Sequence, residues 1–505
     1  MDLKTWSEVL WGKQAKALYL ILGAAVMLLT FLGSREIWTQ EHRWADIVYG
    51  MFYRHDFLHP YLNEVDYYDK PLLSYWLIAA FSFFTGQFST WAMRLPSALA
   101  GVLAIWSTYR LGTAIQDRRL GLLAGWLLLT TYYFIFWAKT SSADMLNLGG
   151  TLFAVSWYYE KKSRPGFFNY AIFFLILAIT SLCKGLVGAI VPLIVIFPDL
   201  VMKNEWKKHV NPAFLLAMLP ALAVYVSPFL ASAHFGGSAY GENGLMLVYR
   251  ENILRYFQPF DHKGAIYTYF IYLPLFMMPW AVFFIPTLIT LKSRWKNLSE
   301  GNRAISWAVL LLFLFFTLSG SRRDYYVLPL VPFAILMTAN WLLTAADSVK
   351  ALNVWTGRLA ITFFALMFLT FNVVQPLYYS QGGMKYFALD VEADASQIKP
   401  WDRWHFVMLD PESKTRFYLH LPPTVKNYPM SEDSHTLHKT ADLTQALPVL
   451  TEKEPGVIFI TRKSYEPVLK KMLPEYKVVE ARQTLGERIL HRENLNAAVA
   501  FIPPA

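Results

Sequence analysis

Hydrophobic positions in this chain gather into long unbroken runs separated by short polar segments, and neither strand nor heptad spacing organises them. Apolar runs of spanning or near-spanning length lie at about 17–33, 88–109, 120–137, 143–159, 167–183, 185–202, 211–232, 266–291, 304–319, 326–346 and 358–378. A hydrocarbon core about 30 Å thick needs roughly 20 apolar residues in a helix, so about eleven to thirteen membrane spans are expected. The first run has no small-residue cleavage site after it, since Arg35, Glu36 and Trp38 follow, and it is read as a retained span.

Residues 34–87 interrupt this pattern as one large outer segment, too long for a simple connector. Within it, Glu41-His42-Arg43-Trp44-Ala45-Asp46 continues into Ile47, Val48 and Met51 with helical spacing. That reads as an amphipathic helix lying on the outer membrane surface. Tyr67-Tyr68-Asp69-Lys70-Pro71 then leads to the next span, with Pro71 closing any helix before it. The plain alternative is an interfacial loop with solvated charges and a belt of aromatics.

After residue 380 the pattern changes to soluble type. His405–Leu409, Gly456–Ile460 and Tyr476–Val479 read as strands and Ser464–Met472 as a helix, which predicts a small α/β domain over 381–505. The fold class expected is a polytopic α-helical membrane domain over 1–380 followed by this α/β tail.

Composition sharpens the picture. Of 505 residues, 55% are hydrophobic, 17% aromatic and 16% charged, against roughly 25% charged in soluble domains. A soluble chain of this length has no place to hide so much apolar surface. Cys183 is the sole cysteine, which excludes a disulfide framework and a cysteine metal cluster. The formal charge is +10, from 46 basic and 36 acidic residues. The tail holds 16 of each, so the whole excess sits in the hydrophobic part, with 30 basic and 20 acidic groups. No nucleic-acid partner is implied, because that would need a basic soluble face.

With a cytoplasmic N-terminus, 18 of those 30 basic residues fall in short inner segments, such as Arg110-Arg118-Arg119, Lys161-Lys162-Arg164 and Lys203-Lys207-Lys208. An odd number of spans then places the tail outside. Twelve basic residues defy this rule, among them Arg43, Lys70, Arg94, Lys184, Arg255, Arg322 and Arg323, and most have acids nearby in sequence. For Lys184 and Arg94, snorkelling to headgroups competes with a buried functional role. Asp144 has no such escape, because anionic headgroups repel a carboxylate, and an ion at membrane depth reads as functional.

The outer side thus combines acids (Glu41, Asp46, Asp69, Asp144) with a larger set of cations. That suits transfer of a sugar from a lipid phosphate. Preplaced Lys and Arg stabilise the departing phosphate, and a carboxylate takes the acceptor's hydroxyl proton. P-loop, GxGxxG, HExxH and GxSxG patterns do not occur in the sequence. A secondary transporter shares the span count, but it normally shows internal repeats, and no convincing repeat is visible here. An oligosaccharide ligase moving a preassembled glycan shares most of these features.

The order TQEHRWADIVYGM, HDFLHPYLNEVDYYDKPLLSYW, MRLPSALAG, SSADM, LCKGLVG and SGSRRDYYVLPLVP resembles the polyprenyl-phosphate-sugar-dependent membrane glycosyltransferases. These have the GT-C fold of the protein O-mannosyltransferase superfamily, and the chain looks most like the bacterial branch containing the aminoarabinose transferase that modifies lipid A. The resemblance covers roughly residues 30–340. It implies a polyprenyl-phosphate sugar donor, a glycolipid (such as lipid A) or protein acceptor, contact with membrane lipids, an inverting reaction, and a multi-pass bacterial inner-membrane location with a periplasmic tail.

The family's first-loop pattern Asp-Glu-x-Arg-Tyr-Ala-Glu is matched by Gln40-Glu41-His42-Arg43-Trp44-Ala45-Asp46. Gln40 cannot serve as a base, so Glu41 is the first candidate, with Asp144 next and Asp69 third. Tyr-Phe-Glu-Lys-Pro is matched by Tyr67–Pro71, whose Lys70 is expected to hold the lipid phosphate together with Arg255, Tyr326 and Arg43. Asn252 stands where relatives often have His. Asp69 and Glu41 are the carboxylates a divalent cation would use, though two carboxylates make a thin metal site.

Overall fold

The computed structural model describes residues 6–38, 40–62, 65–86, 88–202, 204–236, 248–428 and 456–504. Lys203 of the inner basic clusters lies outside the described residues. The chain forms two compact units, one of residues 1–32, 57–60 and 66–372, the other of residues 33–56, 61–65 and 373–505. The second unit therefore begins a few residues before the sequence-based boundary and also takes in most of the first loop.

The first unit is helical. Every one of the eleven apolar runs falls on a helix or a bent helix pair. Six described helices are long and apolar enough to cross a membrane, or eight if each bent pair is one span; Ala17–Leu29, Leu73–Thr85 and Val187–Met202 are shorter apolar helices. Leu73–Thr85 is an addition to the sequence reading, which assigned that stretch to the outer segment. At 1.5 Å per residue its 13 residues reach about 20 Å, too short for a spanning-length window to register.

Two runs that read as continuous are broken. Arg118–Leu129 and Tyr132–Ala138 meet at 72°, and Thr268–Phe276 and Ala281–Ile289 at 118°. At the first break the Thr130 and Thr131 hydroxyls donate back to the carbonyls of Trp126 (2.8 Å) and Leu127 (2.9 Å), a bond that bends helices. At the second, Pro279 supplies no N–H to continue the ladder.

Thr90–Ile115 and Ala143–Lys161 run side by side in the same direction. Ala100 meets Gly149, the Trp106 and Phe153 rings lie 5.9 Å apart, and Arg110 Nε donates to Glu160 at 2.6 Å. A Cβ on Gly149 would come within 2.8 Å of the Ala100 carbonyl, so the close approach requires a residue without one. At the start of this pair, Arg94 is fully buried and donates to the Leu32 carbonyl at 3.0 Å. It does not snorkel. At the far end, Lys162 pairs with buried Asp199 at 2.7 Å, and Tyr158 donates to the same carboxylate at 2.9 Å.

Two short strands of the first loop, β1 (Tyr61–Leu62) and β2 (Val65–Asp66), form a ribbon, and the second unit carries a larger sheet. The strands β3 (His405–Leu409), β4 (Asn427–Tyr428), β5 (Val457–Arg462), β6 (Lys477–Glu480) and β7 (Ala498–Ile502) make a sheet of order β4-β3-β5-β7-β6. β3 is parallel to β4 and β5, while β7 is antiparallel to β5 and β6. Alternate residues divide between two cores. Ile458, Ile460, Ala498, Ala500 and Ile502 pack with helix Met384–Ser396; Val457, Phe459, Val499 and Phe501 pack with Leu469 of helix Glu466–Met472. β7 is buried on both faces, so it lacks the alternation that marks a half-exposed strand.

The amphipathic helix exists, as Glu41–Arg54. Its apolar side does not lie on lipid: Trp44, Ile47, Val48 and Met51 are buried in protein. Within its unit the helix packs on the segment 415–423. Tyr49 donates to the His420 carbonyl at 2.8 Å, and Gly50 faces Pro423.

Candidate active site

In the first unit, five separate segments carry the charged candidates. Asp69 and Lys70 precede Pro71 and the short helix Leu73–Thr85. Lys70 Nζ lies 3.1 Å from Asp69 Oδ1, and the Tyr67 hydroxyl donates to Asp69 Oδ2 at 3.0 Å. Both side chains keep about a quarter of their surface exposed, 23% and 25%.

Arg255 begins the last turn of the helical segment 249–257. Its guanidinium reaches Glu251 at 2.8 Å and Asp261 at 2.7 Å, and its side chain is 12% exposed. Burial raises the Glu251 pKa, with the Asp69 charge adding to the rise and Lys70 and Arg255 opposing it. Both phosphate candidates thus pull that pKa down. Arg255 also interacts electrostatically with Tyr326, which stands in the 3₁₀ turn Asp324–Leu330.

Asp144 sits in the first turn of Ala143–Lys161, where Ser142 caps its N–H and donates to its carboxylate at 2.9 Å. Lys184, the last residue of Phe167–Lys184, pairs with Asp144 and lies 5.2 Å from the centre of the Tyr326 ring. The ammonium is directed into the protein and does not snorkel. Asn252 binds the loop after Lys184 to the Arg255 segment: its Oδ1 accepts the Leu186 N–H at 2.9 Å, and its Nδ2 donates to the Val248 carbonyl at 2.9 Å. Gly185 between them has φ +111°, and a Cβ there would approach Asn252 Oδ1 to 2.6 Å. Only glycine suits that position.

Arg323 contacts His262, whose pKa is lowered by burial and then by Arg323. Glu251, Asp261 and His262 were not anticipated from the sequence. The i,i+4 spacing of Glu251 and Arg255 was the available signal.

The arrangement holds cations in fixed geometry by means of flanking acids, in a largely enclosed setting. Preplaced cations of this kind are what a phosphate-binding site requires. Among the described residues no three His, Cys, Asp or Glu side chains come together to hold a metal ion.

Glu41 and Arg43 belong to the other unit. Glu41 has no exposed surface; it accepts from the Trp38 N–H at 2.8 Å and from Arg35 at 3.2 Å. Arg43 is half-buried on the same helix.

Residues 69–231 match a family model described as dolichyl-phosphate-mannose-protein mannosyltransferase. Solved structures match over nearly the whole chain. ArnT from Cupriavidus metallidurans bound to undecaprenyl phosphate superposes with TM-score 0.70 at 16% identity, covering 97% of this chain and 98% of that one. The fold is GT-C. Another GT-C structure, the oligosaccharyltransferase AglB from Archaeoglobus fulgidus with an inhibitory peptide and a dolichol-phosphate, gives TM-score 0.51 at 12% identity over 95% and 75% of the two chains. In sequence, the undecaprenyl phosphate-alpha-4-amino-4-deoxy-L-arabinose arabinosyl transferase of Shewanella sediminis (strain HAW-EB3) is 24% identical over 343 residues, 65% of this chain. The transferase of the same name from Yersinia pestis (strain Pestoides F) is 25% identical over 334 residues, 63% of this chain. The matches span 60% and 59% of those relatives' own lengths.

Proposed function

We propose that this GT-C chain is a bacterial inner-membrane glycosyltransferase that moves a sugar from a polyprenyl-phosphate donor to an extracytoplasmic acceptor, a glycolipid of the lipid A type. The observation that carries this is a set of cations held by acids, with Arg255 between Glu251 (2.8 Å) and Asp261 (2.7 Å) and Lys70 against Asp69 (3.1 Å). The names of the matching transferases support the donor class. The second unit, with the tail, faces the periplasm in this reading.

Lys70 and Arg255 receive the donor phosphate, with the Tyr326 hydroxyl as a further donor. The acceptor hydroxyl attacks the anomeric carbon on the face opposite the phosphate, and the bond from that carbon to the phosphate oxygen breaks. The phosphate departs with the bonding electron pair, and configuration inverts. Asp69 is assigned the acceptor's proton, because its carboxylate keeps a quarter of its surface exposed. Asp144 positions Lys184. Glu41 holds Arg35 and the Trp38 N–H, which sets the start of helix Glu41–Arg54.

The test is transfer from a synthetic undecaprenyl-phosphate sugar to lipid A by the purified protein in detergent. Product that disappears in Lys70→Ala is the expected result. Movement of donor across vesicles without product would mean a transporter. Product only from a lipid-linked oligosaccharide would mean a ligase.

A further inference from the structure

The second unit contains a cavity of about 260 Å³ walled by residues of the first loop and the tail. Its floor is built around Lys414, which is ion-paired to Glu36 and to Glu412 (3.1 Å). Glu36 also accepts the Met384 N–H at 2.6 Å, and Gly383, at φ +82°, leaves room for that carboxylate. Glu487 closes a capping box with Thr484. These acids are committed to the wall and leave little to offer a ligand.

The lining cations Lys463 and Arg482 are placed differently. Lys463 is 35% exposed and its acids lie at 3.6 and 3.5 Å, while Arg482 is 63% exposed beside Asp390. Exposed pairs of this kind contribute roughly 0–1 kcal/mol, so an incoming anion displaces them at little cost. Trp38, Tyr378 and Tyr379 add aromatic surface to the same lining. Apolar ring faces beside charged donors match the two sides of a sugar, whose C–H face stacks while its substituents hydrogen-bond. The volume falls just below the usual range for drug-sized ligands, about 300–1,000 Å³, and fits one sugar ring with an anionic group.

We infer that this cavity is a saccharide subsite of the tail unit, taking a sugar that bears a phosphate or a carboxylate. The ring lies against Trp38 and Tyr379, and the anion is held by Lys463 and Arg482. Arg35 and Trp38 line the cavity and also hold Glu41, so a bound sugar fixes the start of helix Glu41–Arg54.

Saturation-transfer NMR on the full-length protein in detergent tests this with glucose 1-phosphate, glucuronate and glucose. Signal on the ring protons of one or both anionic sugars, absent for glucose, is expected, and comparing the two identifies the anion. Lys463→Glu and Arg482→Glu should each weaken it about tenfold, the worth of one charge-assisted contact. Arg482→Lys should retain it, which separates lost charge from misfolding. Lys70→Ala should leave the signal unchanged, so that binding here stands or falls apart from the proposed transferase site. Equal signal from glucose, full signal in both charge-reversed variants, loss of signal in Lys70→Ala, or complete displacement by equimolar inorganic phosphate would overturn the assignment.

Discussion

Replacing Lys184 by Met should destabilise the helical unit by about 3–5 kcal/mol, the usual cost of leaving one partner of a buried pair alone. Both side chains of the Lys184–Asp144 pair are 13% exposed and in direct contact. For a pair at an ordinary contact distance of about 3 Å and an effective dielectric of about 20, the attraction is roughly 5 kcal/mol. Without Lys184, the Asp144 carboxylate keeps the Ser142 hydroxyl and its own helix N-terminus, which offset part of the loss. Asp144→Asn should cost less, because the Lys184 ammonium still lies 5.2 Å from the Tyr326 ring centre. The double variant should then recover most of the loss, since neither charge remains uncompensated. Unfolding equilibria in mixed detergent micelles, followed by tryptophan fluorescence, give all corners of the cycle. Single effects that sum to the double within about 0.5 kcal/mol would show that the two groups do not couple, and the reasoning would fail. Turnover adds a second discrimination. If Asp144 acts only through Lys184, the double variant recovers stability while losing donor affinity, seen as a raised KM.

Other outcomes follow from single sites. Lys70→Ala should lower kcat/KM for the polyprenyl-phosphate sugar by about 10²–10³-fold, the worth of one preorganised charge contact, with unfolding unchanged; a drop below tenfold would remove Lys70 from the phosphate site. Burial lifts the Asp46 pKa from 3.8 to about 7, against the pull of Arg416. A raised carboxyl pKa means folding takes up a proton, so this stabilising contribution is complete below about pH 4, is lost as pH rises toward 7, and stays lost above it. Asp46→Asn should therefore gain up to about 4 kcal/mol over wild type at pH 8 and much less at pH 5, and a gain independent of pH would contradict the assignment. Gly185→Ala should destabilise by about 1–3 kcal/mol through its positive φ and the Asn252 contact, measured in the same detergent titration.

The helices were legible in the sequence because a bilayer imposes one strong local rule: a spanning segment must be long, apolar and helical. That rule places all eleven runs, and the short apolar runs 405–409 and 456–460, set in a polar tail, likewise mark β3 and β5. It is silent where the rule is broken locally. The 13-residue helix Leu73–Thr85 is too short for it, the Thr130–Thr131 bend interrupts a run without changing its hydropathy, and β7 is apolar on both faces. Charges standing out in an apolar chain drew attention to Lys70, Asp144 and Arg255, and the family resemblance added Tyr326. Their partners belong to tertiary structure alone. Lys184 meets Asp144 across 40 residues, and Asp69 and Lys70 act on Glu251 from a segment some 180 residues earlier. The enclosure of Glu41 depends on Arg35 and Trp38 folding back over it. Sequence period reports which face of a helix is apolar; which ions share a low-dielectric volume is decided only when distant segments pack, because Coulomb attraction and desolvation depend on distance and burial rather than on order along the chain.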